Sequence, residues 1–103
     1  MLRIYEQCLQ LVRHVKPLVD KVAQHNRTLA NQTWDSCMSV PQNVAEASGN
    51  RRGNRRSRHE TALGSAEETR SSLQIAEAAG YITVEWRVYD NLDHIIATLS
   101  KLV

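Results

Sequence analysis

The sequence predicts an all-α fold, an antiparallel up-down-up-down four-helix bundle. Apolar residues recur at three- and four-residue steps along four segments, which is the spacing of one face of a helix. No segment alternates apolar and polar residues over the length of a strand. The connections between the segments are short, and short connections place consecutive helices side by side in opposite directions. A chain of 103 residues is expected to form one such domain, residues 1–103.

The first helix is predicted over about residues 2–24. Its apolar stripe is broad, with a main row and a second row beside it. The main row is Tyr5, Cys8, Val12, Val15, Val19 and Val22, and the second row is Ile4, Leu11 and Leu18. Pro17 lies inside this pattern and removes a backbone hydrogen bond, which predicts a kink near residues 13–17. The alternative is two shorter helices separated at that point.

The second helix is predicted over about residues 29–48, with Asn26 or Thr28 as its N-cap. Its seam consists of small side chains, so a neighbouring helix can approach closely. The seam is Ala30, Thr33, Cys37, Val40, Val44 and Ala47. Pro41 is expected to bend this helix, and Gly49 is expected to end it in the left-handed conformation.

Residues 49–56 repeat Gly-Asn-Arg-Arg twice. Glycine and asparagine favour turns and adjacent arginines repel each other, so this segment is predicted to be a mobile loop. Ser57 and Glu60 have the spacing of a capping box, which starts the third helix at about residues 58–79. Its seam is again small: Ala62, Ala66, Thr69, Leu73 and Ala76. Gly64 lowers the helix propensity, and a close backbone approach would explain it.

The fourth helix is predicted over about residues 84–102, after a stop at Gly80 and with Thr83 as its cap. Like the first helix, it carries two apolar rows. The predicted seam is Tyr89, Leu92, Ile96, Leu99 and Val103, and the second row is Val88, Ile95 and Leu102. One four-helix unit cannot easily cover both rows of the first and fourth helices. Trp34 and Trp86 also lie outside the seams, and large aromatic residues in such positions are enriched at protein–protein interfaces. We therefore expect a homo-oligomer.

The two cysteines, Cys8 and Cys37, are far apart in apolar helical patterns. Buried free thiols are typical of a reducing compartment. The N-terminus has no signal-peptide pattern, and no apolar run reaches the length of a membrane span. The sequence thus predicts a cytoplasmic protein without a membrane partner.

Two stretches resemble a known bacterial pattern: residues 29–49, and residues 62–68 followed by Ala-Ala-Gly-Tyr-Ile. They are similar to the four-helix-bundle family that includes proteins encoded in 23S rRNA intervening sequences. The positions that carry the resemblance are Gln32, Ser39, Val40, Pro41, Asn43, Val44, Ala45, Glu46, Gly64, Ser65 and Glu68. Departures from the pattern fall at Ala47, His59, Thr61 and Ala62.

The resemblance implies an antiparallel four-helix bundle and, from structurally known members, a ring-shaped homopentamer. It implies little about chemistry, because most members have no assigned activity. Nucleic-acid binding is the function usually suggested for the family. A similar bundle is the accessory protein of diversity-generating retroelements.

The dense run of arginines is the strongest functional signal. Residues 51–58 contribute five arginines and no acidic residue, whereas residues 59–103 carry seven acidic and three basic residues. The five are Arg51, Arg52, Arg55, Arg56 and Arg58. Arginine contacts to phosphates release counterions and bind RNA or DNA without reading its sequence. The alternative is a solvated loop that aids solubility. No aromatic residue interleaves the run, so base stacking on it is not expected.

A second set of polar residues is expected to form a structural network between the second and third helices. Buried polar groups need partners, and these can satisfy one another beside Pro41. The set is Ser39, Asn43, Glu46, Ser65 and Glu68. The alternative is a carboxylate pair for acid–base catalysis or metal binding. No nucleophile or histidine has matching spacing for it, and the four histidines form no zinc motif.

The sequence therefore predicts a non-enzymatic, homo-oligomeric bundle that binds nucleic acid through an arginine-rich loop between the second and third helices. No cofactor, metal or small-molecule substrate is expected. The alternative from another class is a protein–protein interaction scaffold.

Overall fold

Four α-helices make up the fold. A computed structural model of the chain describes residues 3–49 and 52–103, with only the backbone of residues 52 and 53. The helices are α1 (Arg3–Ala23), α2 (Arg27–Gly49), α3 (Arg52–Ala78) and α4 (Trp86–Ser100). No strand occurs in these two ranges. The predicted all-α four-helix bundle is confirmed.

Contacts at the two ends of the bundle establish the antiparallel order. At one end, His25 from the α1–α2 turn stacks on Tyr81 from the α3–α4 connection, with ring centroids 4.9 Å apart. At the other end, Ile4, Arg55 and Leu102 border one cavity. Helix α1 packs against α2 and α4, and α3 packs against the same two helices. Each helix thus runs opposite to both of its main neighbours.

The seams predicted for α2 and α3 are confirmed, since every residue of both seams is buried. The predicted seam of α4 is only partly right: Leu92 and Leu99 are buried, whereas the other seam residues are half-buried or exposed. Val88 and Ile95 of the second row complete the core. The buried residues of α4 are Val88, Leu92, Ile95 and Leu99, and Tyr89 and Ile96 flank them. In α1, Ile4 and Leu11 are likewise buried, whereas Tyr5 and Val12 are half-buried. One chain therefore buries more of the two apolar rows of α1 and α4 than was expected for a single four-helix unit.

Helix α3 begins six residues earlier than the capping box predicts. It starts at Arg52, so Ser57 lies inside the helix and accepts a hydrogen bond on its carbonyl from Thr61 Oγ1 at 3.1 Å. Arg56 and Glu60 form an i,i+4 ion pair at 3.5 Å. The predicted loop over residues 49–56 is wrong for its described part, because Gly49 ends α2 and residues 52–56 are helical. Contacts of Arg55 with Ala47 and of Arg58 with Glu46 join these early turns of α3 to α2.

The helix caps are partly as predicted. Asn26 caps α2, accepting a hydrogen bond on Oδ1 from the Leu29 amide at 2.9 Å. Thr83 does not cap α4, which begins at Trp86 without a side-chain cap. Instead, the connection is held by Glu77, whose carboxylate accepts hydrogen bonds from the Val84 amide at 3.0 Å and the Tyr89 hydroxyl at 2.7 Å. A residue of α3 thus fixes the entry to α4.

This bridge predicts a pH dependence of stability. The hydrogen bonds from Tyr89 and the Val84 amide lower the pKa of Glu77 from its ordinary 4.5. A lowered pKa stabilises the fold above the ordinary value, and that stability is lost as the pH falls through the folded-state pKa. We expect Glu77→Gln to be less stable than the natural protein at pH 7, and the difference to vanish in acid. Urea unfolding at a series of pH values measures it; a difference independent of pH would contradict the prediction.

Two glycines differ from their predicted roles. Gly64 is exposed, and a Cβ there would meet nothing within 4 Å, so the predicted close approach is wrong within the chain. Gly49 does not adopt the left-handed conformation. Gly80 does, with φ of 81°, and it follows α3 where the Tyr81 amide reaches back to the Ala76 carbonyl at 3.0 Å. Left-handed backbone strains any residue with a Cβ.

Alanine substitutions at two glycines should therefore act in opposite directions. Gly64→Ala should raise the free energy of unfolding by about 0.5–1 kcal/mol, because alanine is the better helix former. Gly80→Ala should lower it by about 1–2 kcal/mol through left-handed strain. Chemical denaturation of both variants checks this. A loss of stability in Gly64→Ala would mean that another molecule approaches the backbone at this position.

Both prolines lie within continuous helices. Helix α1 runs through Pro17, so the alternative of two separate helices is wrong, and α2 runs through Pro41. The bends stay predictions. Cys8 and Cys37 are free and buried, and burial raises the pKa of each thiol to about 12. Among the described helices, none is long and apolar enough to cross a bilayer.

Candidate nucleic-acid interface

The arginine run lies at the start of α3. Arg55, Arg56 and Arg58 are exposed on its first two turns. Arg52 is the first residue of the helix, and its side chain is outside the described part of the structure. Arg51 is outside the described residues altogether. Three arginines of the predicted phosphate-binding set, Arg55, Arg56 and Arg58, are thus held on a helix, which fixes the spacing of their side chains.

Three residues of the predicted polar network meet between α2 and α3. The Asn43 amide donates to the Ser39 carbonyl at 2.8 Å and to Ser39 Oγ at 3.0 Å. Ser65 Oγ donates to Ser39 Oγ at 2.8 Å, which joins α3 to α2. Asn43 is only 8% exposed, so its amide requires such partners.

Arg58 extends this network and connects it to the arginine run. Its Nη1 donates to Asn43 Oδ1 at 3.3 Å, and its Nε lies 2.9 Å from Glu46 Oε2. Glu46 therefore joins the network through Arg58. Glu68 does not join it: this residue is exposed and forms no hydrogen bond or ion pair within the described ranges. The two carboxylates are not brought together as an acid–base pair.

The other two described arginines of the run, Arg55 and Arg56, also contact their own chain. Arg55 Nε donates to the Ala47 carbonyl, near the end of α2, at 3.2 Å. Arg56 pairs with Glu60, and both side chains are more than half exposed. Exposed ion pairs contribute little to stability, so a phosphate can compete for such an arginine. Arg58, in contrast, contacts two side chains of α2, Asn43 and Glu46.

A cavity of about 400 Å³ opens beside these arginines at the end of the bundle. It is lined by Ile4, Ala47, Ser48, Arg55, His59 and Leu102. Burial, and then the neighbouring Arg55, lower the pKa of His59, so the ring is neutral at neutral pH. The sequence predicts a loop at Arg55 and therefore gives no indication of this cavity. The four-residue spacing of Arg55 and His59 is the signal that could have found it.

The described residues include no cluster of side chains that could bind a metal ion. Across the described residues, no group of three histidine, cysteine, aspartate or glutamate side chains could hold a metal ion. The site as described is a cationic helix end beside a cavity with an apolar floor.

Comparison with known proteins decides the family. The family model described as "23S rRNA-intervening sequence protein" matches residues 1–103. The chain belongs to this family. This 23S rRNA-intervening sequence protein is similar in structure to a protein of unknown function from the S23 ribosomal protein family of Bacteroides thetaiotaomicron. The two are 20% identical, the match covers 96% of each chain, and the TM-score is 0.87, which shows a shared fold. No curated protein matches the chain.

Proposed function

We propose that this 23S rRNA-intervening sequence protein binds nucleic acid through backbone phosphates at the start of α3. One observation carries the proposal: the segment rich in arginine forms the first turns of a helix and leaves Arg55 and Arg56 exposed there. Amides at a helix N-terminus and arginine guanidinium groups both attract phosphate. Such contacts position a strand without reading its bases.

The charges at this helix end favour a bound anion. The first turn of α3 contains no acidic residue, although acidic residues are the ones that stabilise a helix N-terminus. Arginines there oppose the helix dipole, at a cost of about 0.3–1 kcal/mol each. A phosphate bound between them would remove this repulsion. The helix dipole therefore favours an anion at this position.

The described arginines divide into two roles in this proposal. Arg58 is held by Asn43 and Glu46, so it anchors the start of α3 to α2. Arg55 and Arg56, together with Arg51 and Arg52, supply the phosphate contacts. We further propose that the protein is a non-enzymatic cytoplasmic homo-oligomer, as the family resemblance and the two buried thiols support. Several copies would then bind one strand with higher avidity.

Salt titration of binding tests the proposal. A fluorescein-labelled RNA or DNA strand should bind with an affinity that falls linearly in log–log form as salt rises. The slope gives the number of phosphate contacts, about 0.7 per contact for a single strand. Absence of binding at low salt to both RNA and DNA would reject the function.

A protein–protein scaffold is the second candidate, favoured by exposed apolar residues. Trp86 is 74% exposed and Ile75 is 56% exposed. Trp34, in contrast, is half-buried and lies under the Lys16 ammonium at 5.8 Å. Large exposed aromatics are enriched at protein interfaces, so Trp86 is the residue to test for self-association or partner binding.

A further inference from the structure

The cavity at the end of the bundle combines two kinds of surface. Its floor is apolar: Ile4 and Ala47 are buried, and Leu102 is 44% exposed at its edge. Its other walls come from the polar side chains of Ser48, Arg55 and His59. Pockets for small ligand groups typically have this composition, largely apolar with a few polar groups that fix orientation. A volume of about 400 Å³ is within the range of such pockets.

Two of the lining groups are flat. Arg55 and His59 are four residues apart on α3 and therefore on the same face of the helix. The arginine run contains no aromatic residue, and for that reason the sequence predicts no base stacking on it, but the fold places His59 and Arg55 around one cavity. Imidazole and guanidinium planes are surfaces on which unstacked nucleobases stack in RNA recognition. Burial, and then the neighbouring Arg55, lower the pKa of His59, which favours the neutral ring with one hydrogen-bond donor and one acceptor. The cavity thus offers a nucleobase an apolar surface and planar groups to stack on, next to arginines that can bind the phosphates.

We propose that this cavity receives one unpaired nucleobase of a single strand whose phosphates contact the arginines of α3. The inference rests on the proposed phosphate contacts and adds a preference for single strands. A duplex keeps its bases stacked and paired, so it can place one in the cavity only after that base is unpaired and unstacked. The adjoining positive charge selects an anionic occupant with a flat, largely apolar part, which describes a nucleotide.

An abasic strand separates the two proposals. Fluorescence anisotropy would compare a single deoxyadenosine strand of about a dozen residues with an abasic strand of equal length. Both carry the same phosphates, and only the first has bases. We expect the base-bearing strand to bind about ten-fold more tightly, within the range measured for stacking one base. Equal affinities would overturn the base cavity and leave phosphate binding intact, whereas failure of both strands to bind would reject the proposed function itself.

Histidine variants test the wall of the cavity. His59→Ala should reduce affinity for the base-bearing strand to that of the abasic strand and leave the abasic strand unaffected. His94→Ala, an exposed histidine on α4, is the matched control and should change neither affinity. If His59→Ala weakens both strands equally, the ring has a structural role and the proposal is wrong.

A filling variant provides an independent measurement. Ser48 is exposed on the last turn of α2 and lines the cavity, so Ser48→Trp should block it without disturbing the core. Ser71→Trp, at an exposed position on α3, is the control. We expect only Ser48→Trp to abolish the preference for bases. If it instead changes the solution mass and leaves that preference intact, the cavity is a contact between copies and the proposal fails.

Discussion

Replacing Arg51, Arg52, Arg55 and Arg56 by alanine should lower affinity for a single strand by about two to three orders of magnitude at low salt. Each lost phosphate contact removes about 0.7 from the slope of log affinity against log salt, so four lost contacts flatten it by nearly 3. The variant should remain folded, because arginines at a helix N-terminus oppose the helix dipole. The variant loses the Arg55 contact to the Ala47 carbonyl but keeps the Arg58–Glu46 pair that joins α3 to α2. Binding would thus be lost with at most a small fall in melting temperature.

A control of equal charge distinguishes the site from overall electrostatics. Arg3, Arg13, Arg27 and Arg87 are exposed and lie outside the start of α3. Their simultaneous replacement by alanine changes the net charge by the same amount. We expect this control to retain most of the affinity and most of the salt slope. An equal loss in both variants would show that binding follows net charge, contrary to the proposed interface.

Leu73→Ala should lower the free energy of unfolding by about 2–5 kcal/mol, the largest expected effect on stability. Leu73 is fully buried and is the single bulky side chain in an α3 seam otherwise made of alanine and threonine. Small neighbours with short side chains cannot move to fill the space it leaves. The variant should therefore contain a cavity, and its cost depends on that cavity's volume.

Ile75→Ala is the matched control, two residues away on the same helix. Ile75 is 56% exposed, so its truncation should change stability by less than about 0.5 kcal/mol. Urea denaturation of both variants, with unchanged m-values, measures the contrast. Similar losses in both would contradict the packing of α3. A concentration-dependent loss in Ile75→Ala alone would place this residue at an interface between copies.

The sequence predicted packing best where one face of a helix was apolar and the other polar. The seams of α2 and α3 followed from three- and four-residue spacing, because each helix has only one such row. In α4 the predicted seam is right for Leu92 and Leu99 and wrong for its other residues, because two apolar rows lie side by side. The spacing of apolar residues does not show whether the row containing Ile96 or the row containing Val88 and Ile95 faces the core. Contacts of α4 with α1 and α3 decide which row is buried.

The start of α3 could not be predicted from local sequence. Repeated Gly-Asn pairs favour turns, but Arg55 contacts Ala47 and Arg58 contacts Glu46 across the helix pair. These nonlocal contacts stabilise the early turns of α3 and outweigh turn propensity. The Ser39–Asn43 pair was predictable from its i,i+4 spacing on α2. Glu68 was misplaced because it lies on the solvent face of α3.

The burial of both cysteines makes the molecule convenient for fluorophore attachment. Only a thiolate reacts readily with maleimide, and Cys8 and Cys37, each with a pKa of about 12, provide almost none at neutral pH. A cysteine introduced at an exposed position such as Ser71 should then be modified alone. Energy transfer between dyes on different copies would report assembly directly, and neither native cysteine would have to be replaced.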